Sequence, residues 1–71
     1  MEKIEKMIQH LENYGSITMN GKNITASITE VDGKEGYLYI SDMHESFSSS
    51  EEAIREILHR FNGVNNIVEW L

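Results

Sequence analysis

The chain has no cysteine, no apolar run long enough to cross a bilayer, and half as many basic as acidic residues. The first absence removes both a disulfide framework and any thiolate metal site. Stability must therefore come from packing or from a partner, a second copy of the chain included. It also fits a reducing cytoplasm, the compartment expected here. A spanning helix needs about 20 apolar residues in succession, so no membrane segment is expected. The opening "MEKIEKMIQH" alternates charge with apolar residues and does not read as the apolar core of a signal peptide. Six basic residues against twelve acidic ones leave a formal charge of −6. With no excess of Lys and Arg to displace phosphate counterions, direct binding to nucleic acid or to an anionic membrane is not expected. A glycine-rich phosphate loop is also missing: "DGKEG", residues 32–36, falls between two strand-like runs rather than between a strand and a helix.

Seventy-one residues make one small domain, without internal repeat or linker. A chain of this size buries only about 60% of the surface it exposes when unfolded, and a net stability of a few kcal/mol is the expectation. From Glu2 to Tyr14, Ile4, Met7, Ile8, Leu11 and Tyr14 recur on one helical face. Gly15 supplies the left-handed stop. Asn20-Gly21, between two β-prone runs, reads as a two-residue hairpin turn. A second strand over residues 23–31 alternates, with Ile24, Ala26 and Ile28 on one side and Thr25, Ser27 and Thr29 on the other. The looser turn over residues 32–36 leads into "YLYIS", where Leu38 and Ile40 are expected inward and Tyr37 and Tyr39 outward. Ser49 and Glu52 form a capping box, with Ser48 and Glu51 in the neighbouring register. The stripe Ala53, Ile54, Ile57, Leu58, Phe61 follows, and Gly63 ends that helix. Val64, Ile67, Val68 and Leu71 have helical spacing, which favours a short helix over the alternative of a short strand. The expected class is α+β: a three-stranded antiparallel meander with helices packed mainly on one face, in the order α-β-β-β-α-α.

The stretch from Ser41 to Phe61 holds Asp42, His44, Glu45, Glu51, Glu52 and Glu56. Glu51 and Glu52 are explained by the positive end of the helix dipole, and Glu56 with Arg60 reads as an ordinary i,i+4 pair. Asp42, His44 and Glu45 remain, in the loop before the helix. Asp42 and His44 could hold a weakly bound cation, but His10 and His59 stand alone, and no second cluster completes a shell. General acid–base work needs a pocket that shifts a pKa and positions substrate, and a domain this small has little room for one. No catalytic residue, metal or cofactor is assigned. The two tyrosines are amphipathic anchors of the kind enriched at interfaces. The residues expected to face a protein partner are Asp32, Glu35, Tyr37, Tyr39, Asp42, Glu45, Glu51 and Glu52.

The order α-β-β-β-α is shared with double-stranded-RNA-binding domains, which place lysines at the start of the second helix. Here that position reads "SSSEEAIREI", of opposite sign. A compact acidic domain can instead offer carboxylates to a basic groove that normally holds phosphate. The order α-β-β-β-α-α, the small size, the lack of cysteine and the acid between Asp42 and Glu56 resemble small phage-encoded inhibitors of the type II anti-CRISPR kind. That resemblance implies a non-enzymatic protein that occupies the DNA-binding cleft of a nuclease in the host cytoplasm. The competing expectation is a structural or regulatory module that self-associates, as a homodimer, through its sheet or tail.

Overall fold

The computed structural model describes residues 2–33 and 36–71. Helix α1 (Lys3–Tyr14) forms where the apolar spacing places it and buries Met7 and Leu11. It stops at Gly15, whose φ of 75° lets its N–H donate to the Leu11 carbonyl at 2.8 Å. Strands β1 (Ser16–Gly21) and β2 (Thr25–Glu30) pair antiparallel from Ser16 opposite Thr29 to Asn20 opposite Thr25. Two short strands, β3 (Tyr39–Ser41) and β4 (Ser46–Phe47), extend the sheet beyond β2. Helix α2 (Ser50–Leu58) runs into a 3-10 turn at His59–Phe61, and a second such turn at Val64–Asn66 leads into β5 (Ile67–Trp70), antiparallel to β1.

The class is α+β, but the sheet has five strands in the order β4-β3-β2-β1-β5 rather than three. The chain order is α-β-β-β-β-α-β. Two expectations are corrected by this. Residues 64–71 make one 3-10 turn and then a strand, because β-branched Ile67 and Val68 find the open side of β1. The serine-rich segment before α2 contains β4, which the single apolar residue Phe47 anchors in the core.

One core joins Met7 and Leu11 of α1 to Ala53, Ile54, Ile57, Leu58 and Phe61 of the second helical segment, over Ile17, Met19, Ala26, Ile28, Tyr39, Phe47 and Ile67 of the sheet. Both helices touch each other as they cover that face, α1 over β1 and β2 and α2 over β3 and β4. The opposite face of the β1–β2 hairpin is polar throughout: Ser16, Thr18, Asn20, Thr25, Ser27 and Thr29.

The third strand is inverted relative to expectation. Tyr39 is buried and Leu38 is exposed. Ser41 lies opposite Ile28 and Tyr39 opposite Phe47, so pairing with two inward neighbours turns the odd-numbered residues inward. Burial raises the Tyr39 phenol above its ordinary value, with the charges of Glu30 and Glu12 acting in the same direction. Ile24, expected inward on β2, lies in the loop before it and is exposed. Asn20-Gly21 is not the hairpin turn either: both residues belong to β1, and the chain reverses over the next three.

At the start of α2 the Ser49 hydroxyl accepts the Glu52 N–H at 3.1 Å. The Glu52 carboxylate takes the Ser48 hydroxyl at 2.7 Å instead of returning to the cap, so the box is half formed. Ser49→Ala should cost about 1 kcal/mol and lower the melting temperature by roughly 4–8 °C in a domain of this size. Ser48→Ala, which removes only an exposed contact, should move it far less. Thermal unfolding followed by circular dichroism compares them, and equal shifts would refute Ser49 as the cap.

Candidate functional site

The β3–β4 hairpin carries two of the acidic residues singled out above. Its tip closes through the Ser41 N–H donating to the Glu45 carbonyl at 2.8 Å and the His44 N–H donating to the Ser41 carbonyl at 2.9 Å, with His44 at φ 64°. Ser41 is buried, and its hydroxyl accepts the N–H groups of Met43 at 3.2 Å and Glu45 at 3.0 Å. From the end of the second helical segment, Arg60 reaches under this tip. Nη1 donates to Asp42 Oδ1 at 2.9 Å, and Nη2 donates to Glu45 Oε1 at 2.5 Å and to Ser41 Oγ at 3.3 Å.

The expected Glu56–Arg60 pair is therefore replaced by a longer-range one. Arg60 serves the hairpin, and Glu56 has no ion-pair partner among the described residues. Burial alone would raise the Asp42 carboxyl, yet the Arg60 hydrogen bond, a Ser27 backbone amide and the Arg60 charge outweigh it and hold it below the ordinary value. Burial likewise opposes the charge of Arg60, and Glu45 and Asp42 overcome it, raising the guanidinium. The carboxylates of the loop are used to fold it. No three His, Asp or Glu groups that could hold a metal ion come together among the described residues.

The remaining acid lies elsewhere. On the two helices and the α1 cap, Glu2, Glu5, Glu12, Glu51, Glu52 and Glu56 are exposed, against exposed Lys6 and Arg55 only, an excess of four negative charges. Glu51 is held by Arg55 at 2.9 Å in an exposed i,i+4 pair. Glu12 accepts the Ser50 hydroxyl, which ties α1 to the start of α2. Lys3 does not offset this layer, since its Nζ donates to the Ile67 carbonyl at 2.7 Å and lies 5.8 Å from the Trp70 ring centre.

The eight residues expected to face a partner stand in different settings. Glu51 and Glu52 belong to the acidic helical layer, and Asp42 and Glu45 to the Arg60-clamped hairpin. Tyr39 is in the core, Tyr37 is half-buried and Asp32 is exposed. Glu35 lies outside the described residues. Sequence reasoning missed Glu2, Glu5 and Glu12 as members of the helical layer. Their helical spacing in α1 was visible, but the side-by-side placement of α1 and α2 was not.

Both sheet edges are blunted. β4 has two residues, and β5 carries a bulge: Asn20 faces Glu69 while Gly21 faces Ile67, which leaves Val68 as an extra residue. Together with Lys3 on the Ile67 carbonyl, the bulge leaves little regular edge for another strand. No described helix is long and apolar enough to cross a membrane. Compared with known proteins, the chain matches no family model, no curated protein and no solved structure.

Proposed function

We propose that this protein is a non-enzymatic protein-binding module that presents its acidic helical layer to a basic, nucleic-acid-binding surface of a partner. A nuclease of the type blocked by anti-CRISPR inhibitors is the target of choice, and the cytoplasm the place of action. The observation that carries this reading is the excess of four negative charges on the exposed positions of the two helices and the α1 cap. Rows of carboxylates on a rigid layer can meet the cations that otherwise hold phosphate, without a pocket or a cofactor. The element order contributes nothing to the argument now that the sheet has five strands. The support is the placement of charge.

Capture from host-cell lysate at low and high salt tests it, with retained proteins identified by mass spectrometry. A nucleic-acid-binding protein retained at low salt and released near 0.5 M is the expected result, since exposed charges are screened within about 8 Å already at physiological ionic strength. Reversing Glu51 and Glu52 to lysine should weaken capture by at least about tenfold, as loss of complementary charge does at other interfaces. Salt-insensitive capture, or full capture by the charge-reversed variant, would sink the proposal.

Self-association is the second reading, and exposed Val68 and Leu71 at the margin of the sheet favour it. It requires a dimer at micromolar concentration by sedimentation, dispersed by Val68→Lys and indifferent to salt.

A further inference from the structure

A cleft of about 370 Å³ opens where the β1–β2 loop meets the turn before β5. Its size falls in the range of small-ligand sites. Three local features shape it. Gly21 lacks a side chain and lets the Phe61 ring close beneath. Ile24 stands exposed on the loop, and the bulge in β5 turns Val68 outward on the other side. Bulges often re-aim side chains in this way next to binding sites. The apolar walls are thus Ile24 and Val68, over Phe61.

The described polar side chains that line the cleft are cationic or neutral. Lys22 has no hydrogen-bond or ion-pair partner among the described residues, and the same holds for the side-chain amides of Asn23 and Asn65. Among the described residues no carboxylate lines the cleft, in a chain where acids outnumber bases twelve to six. A free cation and two free amides beside an apolar slot are complementary to an anion carried on a small aliphatic body.

We propose that this cleft binds the C-terminal carboxylate of a partner polypeptide that ends in an aliphatic residue. The carboxylate accepts from Lys22 and the Asn23 and Asn65 amides, and the last side chain lies between Ile24 and Val68. A peptide end fits better than a free metabolite for a physical reason. Small-ligand sites generally bury 70–90% of their occupant, whereas this cleft is partly open to solvent. An open slot secures the end of something whose remainder rests on the surface around it. The site differs in charge and position from the acidic helical layer and stands or falls without it.

The test is an amide-resolved NMR titration of the whole chain with the peptide acetyl-Gly-Ser-Gly-Ser-Val-Leu, as the free acid and as the C-terminal amide. The acid should shift the backbone signals of Gly21, Lys22, Asn65 and Val68. It should bind at least about tenfold more tightly than the amide, the margin expected when a charge-assisted hydrogen bond is lost. Lys22→Glu should abolish binding with an unchanged melting temperature, because Lys22 is exposed and makes no contact that folding uses. Equal affinity of acid and amide, shifts confined to other residues, or intact binding by Lys22→Glu would each overturn the proposal. N-acetyl-leucine binding as tightly as the peptide would overturn it too, since the occupant would then be a free small carboxylate.

Discussion

Replacing Arg60 by methionine should lower the melting temperature by roughly 10 °C, corresponding to about 2 kcal/mol in a domain of this size. The guanidinium makes three hydrogen bonds, to Asp42, Glu45 and Ser41, and joins the end of the second helical segment to the β3–β4 hairpin. Its side chain is only 19% exposed, but Asp42 is 38% and Glu45 53% exposed, so water compensates part of what is lost. A fully buried pair broken on one side would cost about 3–5 kcal/mol; the lower figure reflects that discount. Methionine retains the apolar stem, which separates the loss of charge from the loss of packing. Adding Asp42→Asn and Glu45→Gln to Arg60→Met should restore most of the stability, because no charge is then left facing an absent partner. A single Arg60→Met variant within about 2 °C of the parent would show that the clamp contributes little. The same pair sets an acid limb. Because the Asp42 carboxyl is held below its ordinary value in the folded state, the unfolded chain binds the proton first as pH falls. The stabilisation is complete above the unfolded carboxyl value and is lost as pH drops below about 4 through the lowered one. Urea unfolding across that window should therefore show a steeper loss for the parent than for Arg60→Met.

The Arg60 clamp also marks what the sequence could and could not convey. Local signals carried well: the 3.6-residue spacing of Met7 and Leu11, the left-handed Gly15 and the Ser49 cap all appear as read. Each depends on neighbours within a turn or two. Arg60 pairs with residues fifteen and eighteen positions away, and a helical neighbour, Glu56, offered a closer partner on paper. Only the placement of the hairpin beside the helix end decides between them. The inversion of "YLYIS" has the same origin. Its aromatic and aliphatic residues alternate, so a period of two cannot tell which set is inside; Ile28 and Phe47 decide it by pairing with Ser41 and Tyr39. The last strand shows a real ambiguity, for Val64, Ile67, Val68 and Leu71 fit helical spacing, while the sheet had an unfilled position beside β1. In the candidate surface, Glu51 and Glu52 were visible as exposed acid, and only the packing of α1 against α2 adds Glu2, Glu5 and Glu12 to them.

This partition of charge bears directly on function. A net charge of −6 spread evenly would serve solubility. Here Arg60 cancels one of the two hairpin charges, and the face of the β1–β2 hairpin away from the core is neutral, so much of the unmatched charge falls on the helices. Such a layer can attract a basic partner over a distance. The hairpin acids are poor positions for a charge-reversal test, since reversing them would also break their hydrogen bonds with Arg60.

Gly21→Ala should destabilise the fold by about 2 kcal/mol, and the reason is space rather than backbone conformation. Gly21 is absent from the glycines with positive φ, so alanine could adopt its backbone angles. On that ground alone the substitution would stabilise by about 0.4–1 kcal/mol, through a less flexible unfolded chain. The sign is reversed by what the new methyl group meets. It would lie 2.9 Å from Cδ1 and Cε1 of Phe61 and 3.0 Å from the Asn66 carbonyl oxygen. Phe61 is 3% exposed and packed in the core, so shifting its ring disturbs that packing, and the Asn66 oxygen belongs to the backbone. Phe61→Leu shortens the obstacle. In a Gly21→Ala, Phe61→Leu double variant the combined loss should fall short of the sum of the single losses by about 1 kcal/mol, as contacting residues do. Urea unfolding of the four proteins closes the cycle. The outcome separates two roles for this glycine. A hairpin-turn Gly21, as Asn20-Gly21 suggested, would lose stability on substitution whatever stood at position 61, and the two changes would add. Coupling between them places the requirement in the close approach of β1 to Phe61, the same approach that forms the floor of the cleft beside Lys22.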